Sequence, residues 1–176
     1  MKSTNISTVC VTGANGFIAS HIVKQLLASG KYKVNGTVRN PSNAATVEHL
    51  WSLPGAKDNL TLFPADLMQV GSYDAAIKGC DAVIHTASPV FASTTESDTL
   101  TPSTTGSRNV LEAAGRESST VKRVVLTSSA CSVFCNYGNL PLSHVYTEED
   151  WSDEALMKSH EDWYCLGKNG CRARSS

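Results

Sequence analysis

A chain of 176 residues, 41% hydrophobic and 18% charged with a formal net charge of -1, has the composition of a soluble globular protein with one sizeable core. That near-neutral balance excludes a basic nucleic-acid binder and a polybasic membrane-surface protein. No stretch approaches the roughly 20 apolar residues of a membrane span, and the polar N-terminus lacks a signal-peptide pattern, so a cytoplasmic location is expected.

Apolar β-branched runs alternate with helical patterns, which predicts an α/β fold, a doubly wound parallel sheet with helices on both faces. The first strand is expected over Ile6 to Thr12, followed by a helix from Phe17 to Ala28. Ile18, Ile22 and Leu26, with Val23 and Leu27, form its apolar stripe, and Gly30 ends it. A second strand, Lys33 to Val38, leads through Asn40-Pro41 to a helix over Ala44 to Leu53, closed by Pro54-Gly55. Then come a strand Leu60 to Phe63, a helix Ser72 to Ile77, a strand Ala82 to His85, a helix Thr105 to Ala114 and a strand Arg123 to Thr127. Cys131 to Glu149 reads as loop, and Asp162 to Lys168 opens another helix. Six cysteines are scattered without a Cys-x-x-Cys pair, so they are expected to be ordinary reduced thiols, and no metal site is expected.

The run Thr12-Gly13-Ala14-Asn15-Gly16-Phe17-Ile18-Ala19 joins the first strand to the first helix, the place where a dinucleotide pyrophosphate is bound. Gly13 permits the tight turn and Gly16 the close approach of backbone to phosphate. The amides that open the helix, with Asn15, Phe17 and Ile18 in the same turn, present donors. Ala19, where a third glycine would stand, is still small enough for helix-strand packing. At the end of the second strand an NAD enzyme would place an acid for the ribose 2′-hydroxyl. Here the chain reads Thr37-Val38-Arg39-Asn40, and a guanidinium in that position can pair with a 2′-phosphate, which favours NADP(H) as cofactor.

Tyr164 and Lys168 are four apart, so on a helix they share a face. A nearby ammonium favours the phenolate, which suits the tyrosine to act as proton donor in reduction and acceptor in oxidation. The fifth strand ends in Thr127-Ser128-Ser129-Ala130, putting hydroxyls at the carboxyl edge of the sheet, where open α/β sheets bind ligands.

Taken in order, Val11-Thr12-Gly13 through Ile18, Thr37-Val38-Arg39, Ala65-Asp66-Leu67, His85-Thr86-Ala87-Ser88-Pro89, Asn109-Val110-Leu111, Thr127-Ser128-Ser129-Ala130 and Trp163-Tyr164 to Lys168 span nearly the whole chain. The sequence resembles the extended short-chain dehydrogenase/reductases of the NAD-dependent epimerase/dehydratase superfamily, and in particular their dihydroflavonol reductase, cinnamoyl-CoA reductase and aldehyde reductase branch. The resemblance implies a Rossmann-type domain and NADP-dependent reduction of a small-molecule ketone or aldehyde to an alcohol. It implies that Ser129, with Ser128 as the alternative, holds the substrate carbonyl, that Tyr164 is the acid/base, and that Lys168 lowers its pKa and holds the nicotinamide ribose. By the same resemblance Asp66 and Leu67 flank the adenine, and Thr86, Ala87 and Ser88 line the cofactor. Read from the residues alone, Asp66 is also a candidate helix cap, and His85 a strand-end packing residue.

Two departures stand out: Asn43-Ala44-Ala45-Thr46 lacks a lysine common in this branch, and Gly167 replaces the serine that usually precedes the lysine, at about 1 kcal/mol of helix propensity. After Lys168 the family continues into a long helix and a substrate lobe, whereas Asn169 to Ser176 has no apolar stripe. We therefore expect an NADP-binding domain over 1–168, an aberrant tail over 169–176, a missing substrate lobe and an exposed sheet edge. One back-translation of the tail, read one base on, gives Met-Ala-Ala-Glu-Gln-Glu-Ala and restores the family's helix, so a frameshift or an equivalent splicing or gene-model error is expected. An inactive NADP-binding fragment and a sugar-nucleotide epimerase or dehydratase are the alternative functions.

Overall fold

Period-two alternation in β1 (Thr8–Thr12) sends Val9 and Val11 into one apolar cluster and Cys10 into another, so this strand is buried on both faces. The computed structural model describes residues 7–89, 95–141 and 143–173, and Ile6, the expected start of this strand, lies outside them. Two units separate, residues 7–87 with 109–125 and residues 88–108 with 126–173.

The first unit holds a five-stranded sheet of order β3-β2-β1-β4-β5, built with β2 (Lys33–Val38), β3 (Leu60–Pro64), β4 (Ala82–His85) and β5 (Arg123–Leu126, of which the last residue falls in the second unit). β1 pairs in parallel with both β2 and β4, and β2 with β3. The chain therefore winds outward from β1 to one edge and then returns to β4, which makes the gap between the ends of β1 and β4 the topological switch point.

One face of the sheet is covered by α1 (Phe17–Ala28) and α2 (Ala44–Trp51), with Val23, Leu27, Val47 and Leu50 packed on Val9, Val11 and Val34; α3 (Ala56–Asn59) follows α2. On the other face α4 (Asp74–Ile77) and residues 109–116 of α5 (Glu96–Arg116) set Tyr73, Ile77, Val110 and Ala113 against Cys10 and Val83. The apolar stripe of α1 is turned from its expected register. Ala19, Val23 and Leu27 are buried at its centre and Ile22 and Leu26 flank them, while Ile18, in the first turn, is 58% exposed.

Asp81 ties the starts of two strands together. Its carboxylate accepts from the Ser7 and Thr8 amides at 2.9 and 3.0 Å and from Lys122 Nζ at 3.1 Å, and these donors hold it well below the usual carboxylate range. A lowered folded-state pKa contributes stability that is present above the unfolded value, about 4, and is lost as pH falls below it. Asp81→Asn is thus expected to lower the melting temperature at neutral pH, with the gap to the unaltered chain closing as the pH drops below about 4. Thermal melts across that range check this, and a gap independent of pH would count against it.

The second unit contains residues 96–108 of α5, α6 (Cys131–Phe134), α7 (Glu154–Ser159) and α8 (Trp163–Ala173), around Cys131, Cys135, Met157, Cys165 and Leu166. Asp153 caps α7 by accepting from the Ala155 and Leu156 amides at 2.9 and 3.0 Å. α5 begins well before the expected Thr105 and passes through Pro102. Its early turns bury Thr99, Ser103 and Ser107, four residues apart, a polar stripe that hydrophobic periodicity does not register. α8 continues past Lys168 through Ala173, so the expected boundary at 168 falls inside a helix that buries Asn169 and Cys171; residues 174–176 lie outside the described ones.

Candidate active site

In the first unit the turn after β1 is shaped by its glycines. Gly13 has φ +63°, and a Cβ there would stand 3.1 Å from both Cα and Cβ of Ala87, so conformation and space both demand glycine. The Gly16 amide donates to Gly13 O at 2.8 Å and closes the turn. Gly16 caps α1 with no side-chain hydrogen bond, so among the described residues no capping side chain meets the opening amides of the helix. Phe17, 83% exposed, and Ile18 stand beside them, and Asn15 is half-buried in the same turn.

Two strand-end hydroxyls hold this turn, and neither was singled out as a site residue from the sequence. Thr37 Oγ1 accepts from the Gly13 amide at 3.2 Å, and Thr37 O accepts from the Ala14 amide at 2.8 Å. Thr12 Oγ1 accepts from the Thr86 and Ala87 amides at 3.1 and 3.0 Å and shares a 2.7 Å hydrogen bond with His85 Nδ1, while the Thr86 hydroxyl donates to Thr12 O. The buried His85 is thereby committed to strand-end packing. Thr86 and Ala87, half-buried, are fixed beside Gly13 by these bonds; Ser88, also half-buried, belongs to the second unit.

Gly36 is a further requirement that the sequence reading passed over. A Cβ at Gly36 would lie 2.9 Å from Ala14 Cβ and 2.9 Å from Leu62 Cδ2. Gly36→Ala is expected to cost about 1–3 kcal/mol by overpacking and to displace the turn at Ala14, weakening dinucleotide binding together with stability. Gly115→Ala, where nothing lies within 4 Å, is the control and should stabilise by up to about 1 kcal/mol. Melting and binding curves of both variants decide it, and an unimpaired Gly36→Ala chain would contradict the close packing.

Arg39 follows the last residue of β2, exposed and, among the described residues, without an ion-pair partner. Asp66 is exposed and its Oδ1 accepts from the Met68 amide at 2.7 Å, while Ser72 Oγ donates to Asp66 O at 2.7 Å. Its carboxylate therefore orders a turn after β3 and caps no helix. Leu67 is half-buried, and its carbonyl accepts from Asn109 Nδ2 at 2.8 Å, so the buried Asn109 positions this segment.

The second unit holds the hydroxyl, phenol and ammonium. α8 presents Tyr164 and Lys168 on one face, with Lys168 Nζ 5.9 Å from the centroid of the tyrosine ring. Lys168 is buried and donates to Thr127 O at a long 3.4 Å, and burial pushes its pKa below the ordinary lysine value. Gly167 is explained by packing: a Cβ there would meet Ser103 Cβ at 3.1 Å, so glycine lets α8 close on α5 at the cost in propensity noted above. Ser129 Oγ accepts from Cys131 Sγ at 3.0 Å, whereas Ser128 Oγ shares a 3.0 Å bond with Ser132 Oγ. Among the described residues neither the Ser129 proton nor the Tyr164 hydroxyl has a hydrogen-bond partner, so both are free to meet an oxygen of a bound molecule.

Residues 13–171 match a protein family described as NAD(P)H-binding. The chain is 47% identical over 165 residues to tetraketide alpha-pyrone reductase 1 of Arabidopsis thaliana, covering 91% of this chain and 49% of that protein. It is 46% identical to cinnamoyl-CoA reductase 1 of Petunia hybrida, covering 96% of this chain and 48% of the relative. Among solved structures, Gre2 of Candida albicans in complex with NADPH superposes with a TM-score of 0.81 at 32% identity, over 96% of this chain and 52% of that one. The chain thus spans about half the length of the proteins it matches.

Proposed function

Since the chain belongs to the NAD(P)H-binding family, we propose that it binds NADPH and reduces the carbonyl of a small-molecule ketone or aldehyde to an alcohol. The observation that carries this reading is the Gly13 turn, held by two threonine hydroxyls against Ala87 at the switch point of the sheet. A Cβ would fill the cradle at Gly13, and among the described residues the α1 amides behind it have no side-chain cap, which fits a pyrophosphate on a helix N-terminus. The exposed Phe17 and Ile18 fit the apolar contact of such a site. Gly13, Asn15, Gly16, Phe17 and Ile18 would hold the pyrophosphate, and Arg39 the 2′-phosphate. Asp66 and Leu67 would border the adenine, Thr86, Ala87 and Ser88 the remaining length, and Lys168 and Tyr164 the nicotinamide ribose.

The bound cofactor supplies the hydride. Ser129 donates its uncommitted proton to the carbonyl oxygen and orients it. Tyr164 transfers its phenolic proton to that oxygen as negative charge develops there, and Lys168, behind the ring, supplies positive charge and a hydrogen-bond donor. Two of the similar proteins are reductases and the similar Gre2 structure holds NADPH, which supports this reaction class. A serine proton and a tyrosine hydroxyl that donate to nothing among the described residues favour it over a nucleotide-binding module that lacks chemistry.

The test is an assay of the purified chain with NADPH against a panel of aldehydes and ketones, following loss of the reduced nicotinamide absorbance and identifying the alcohol. NADPH oxidation matched by alcohol formation is expected. Saturable NADPH binding with no product from any carbonyl would replace this reading with a non-catalytic one.

A further inference from the structure

α6 and α8 bring together thiols that lie far apart in the sequence. The Sγ atoms of Cys135 and Cys165 and a carboxylate oxygen of Asp162 all lie within 4.8 Å of one another. The Cys165 thiol also meets Cys131, one helical turn before Cys135. The three cysteines are buried, while Asp162 is half-buried and receives the Tyr137 hydroxyl at 2.8 Å, so the group has a polar approach on its carboxylate side. From this juxtaposition we propose that Cys135, Cys165 and Asp162 form a binding site for a thiophilic divalent cation, with zinc as the matching ion and Cys131 as fourth ligand.

Donor chemistry and size both favour zinc. Thiolates with one carboxylate suit zinc or its soft congeners, and magnesium or calcium would require oxygen donors throughout. Zinc binds sulfur at about 2.3 Å and carboxylate oxygen at about 2.0–2.2 Å in a tetrahedron, so neighbouring ligand atoms sit about 3.5–3.8 Å apart. The three ligand atoms, now within 4.8 Å of one another, would have to draw toward that spacing as the ion binds. Cys131 Sγ now donates to Ser129 Oγ at 3.0 Å and would turn from that partner to complete the tetrahedron. Each cysteine that binds as thiolate releases one proton and no electron moves, so the apparent affinity rises with pH. Asp162 and Cys165 are three apart at the start of α8, but their partners on α6 lie beyond a long intervening segment, so no metal-ligand spacing is visible in the sequence.

The experiment is a titration of the metal-free, reduced chain with Co(II), followed by Zn(II) as competitor. One equivalent of Co(II) is expected to bind, with thiolate-to-cobalt bands in the near ultraviolet and tetrahedral bands in the visible. One equivalent of Zn(II) should displace it, and excess Mg(II) should not. Cys135→Ser and Cys165→Ser are each expected to weaken Co(II) binding by at least about 100-fold, the upper end of what outer-shell partners contribute. Cys80→Ser, in the other unit, should leave binding unchanged. Asp162→Asn, which retains every thiolate, should keep the thiolate bands at reduced affinity, and this separates ligand loss from misfolding of a cysteine variant. Absence of thiolate bands with excess Co(II), or bands that persist in both Cys135→Ser and Cys165→Ser, would overturn the site. So would an intact mass two hydrogens lighter with no metal bound, the mark of an internal disulfide.

Discussion

Replacing Tyr164 by phenylalanine is expected to lower turnover by roughly 10²- to 10⁴-fold, the range that a positioned proton donor contributes. The loss should fall on the chemical step. Tyr164 is half-buried against the Cys131, Cys135 and Met157 cluster and its hydroxyl has no partner among the described residues, so phenylalanine keeps the packing and removes only the proton. Stability should therefore change by no more than about 0.5 kcal/mol. NADPH affinity should move far less than kcat. Lys168→Met should lower turnover as well, and its stability effect has the opposite sign to that of most buried truncations. Burial already disfavours the ammonium, whose only hydrogen bond among the described residues is the long one to Thr127 O, so an apolar side chain of similar length should be tolerated or stabilising. Steady-state kinetics with parallel melts separate these effects. A phenylalanine variant that turns over at the original rate would remove Tyr164 from the chemistry.

The second large effect concerns cofactor choice. Arg39→Ala is expected to weaken NADPH binding by roughly 10- to 100-fold, because charge-assisted hydrogen bonds to a phosphate contribute about 1.5–3 kcal/mol. NADH affinity should be nearly unchanged, since only the 2′-phosphate would meet the guanidinium. Arg39→Asp should go further and bring the preference toward NADH, by repelling the phosphate and accepting from the ribose hydroxyl. Because Arg39 is exposed, the discrimination should shrink as ionic strength rises. Equal losses of NADPH and NADH affinity in Arg39→Ala would place the residue outside any 2′-phosphate contact.

Much of this was legible in the sequence because local signals and packing agreed. The β1 and β4 patterns, the α1 bounds and the glycine turn were readable, since strand alternation, a helix stripe and an αL glycine each depend on residues close together in the chain. The register of α1 was not. Ile18 looks like core by hydrophobicity, yet Ala19 faces the sheet because the close packing of the turn selects the smaller side chain. The first half of α5 was hidden because Thr99, Ser103 and Ser107 are buried for their size, and a Ser/Thr/Pro-rich segment has poor intrinsic propensity. α6 is one short turn inside Cys131 to Glu149, which reads as loop, and α7 falls between that segment and Asp162, where no element was assigned, although Asp153 before Glu154 was an available capping signal. Candidate site residues with local motifs, such as Gly13 and Tyr164 with Lys168, could be named in advance. The roles of Gly36, Thr12, Thr37 and Asn109 depend on tertiary neighbours, and strand-end threonines facing the switch point were the faint sequence trace of two of them.

The central claim, a dinucleotide site that prefers NADPH, is tested most directly by equilibrium titration of the purified chain with NADPH and with NADH, read by nicotinamide fluorescence or calorimetry. Saturable one-to-one binding of NADPH, at least about 10-fold tighter than NADH, is predicted. Equal or tighter binding of NADH, or no saturation with either nucleotide, would contradict it.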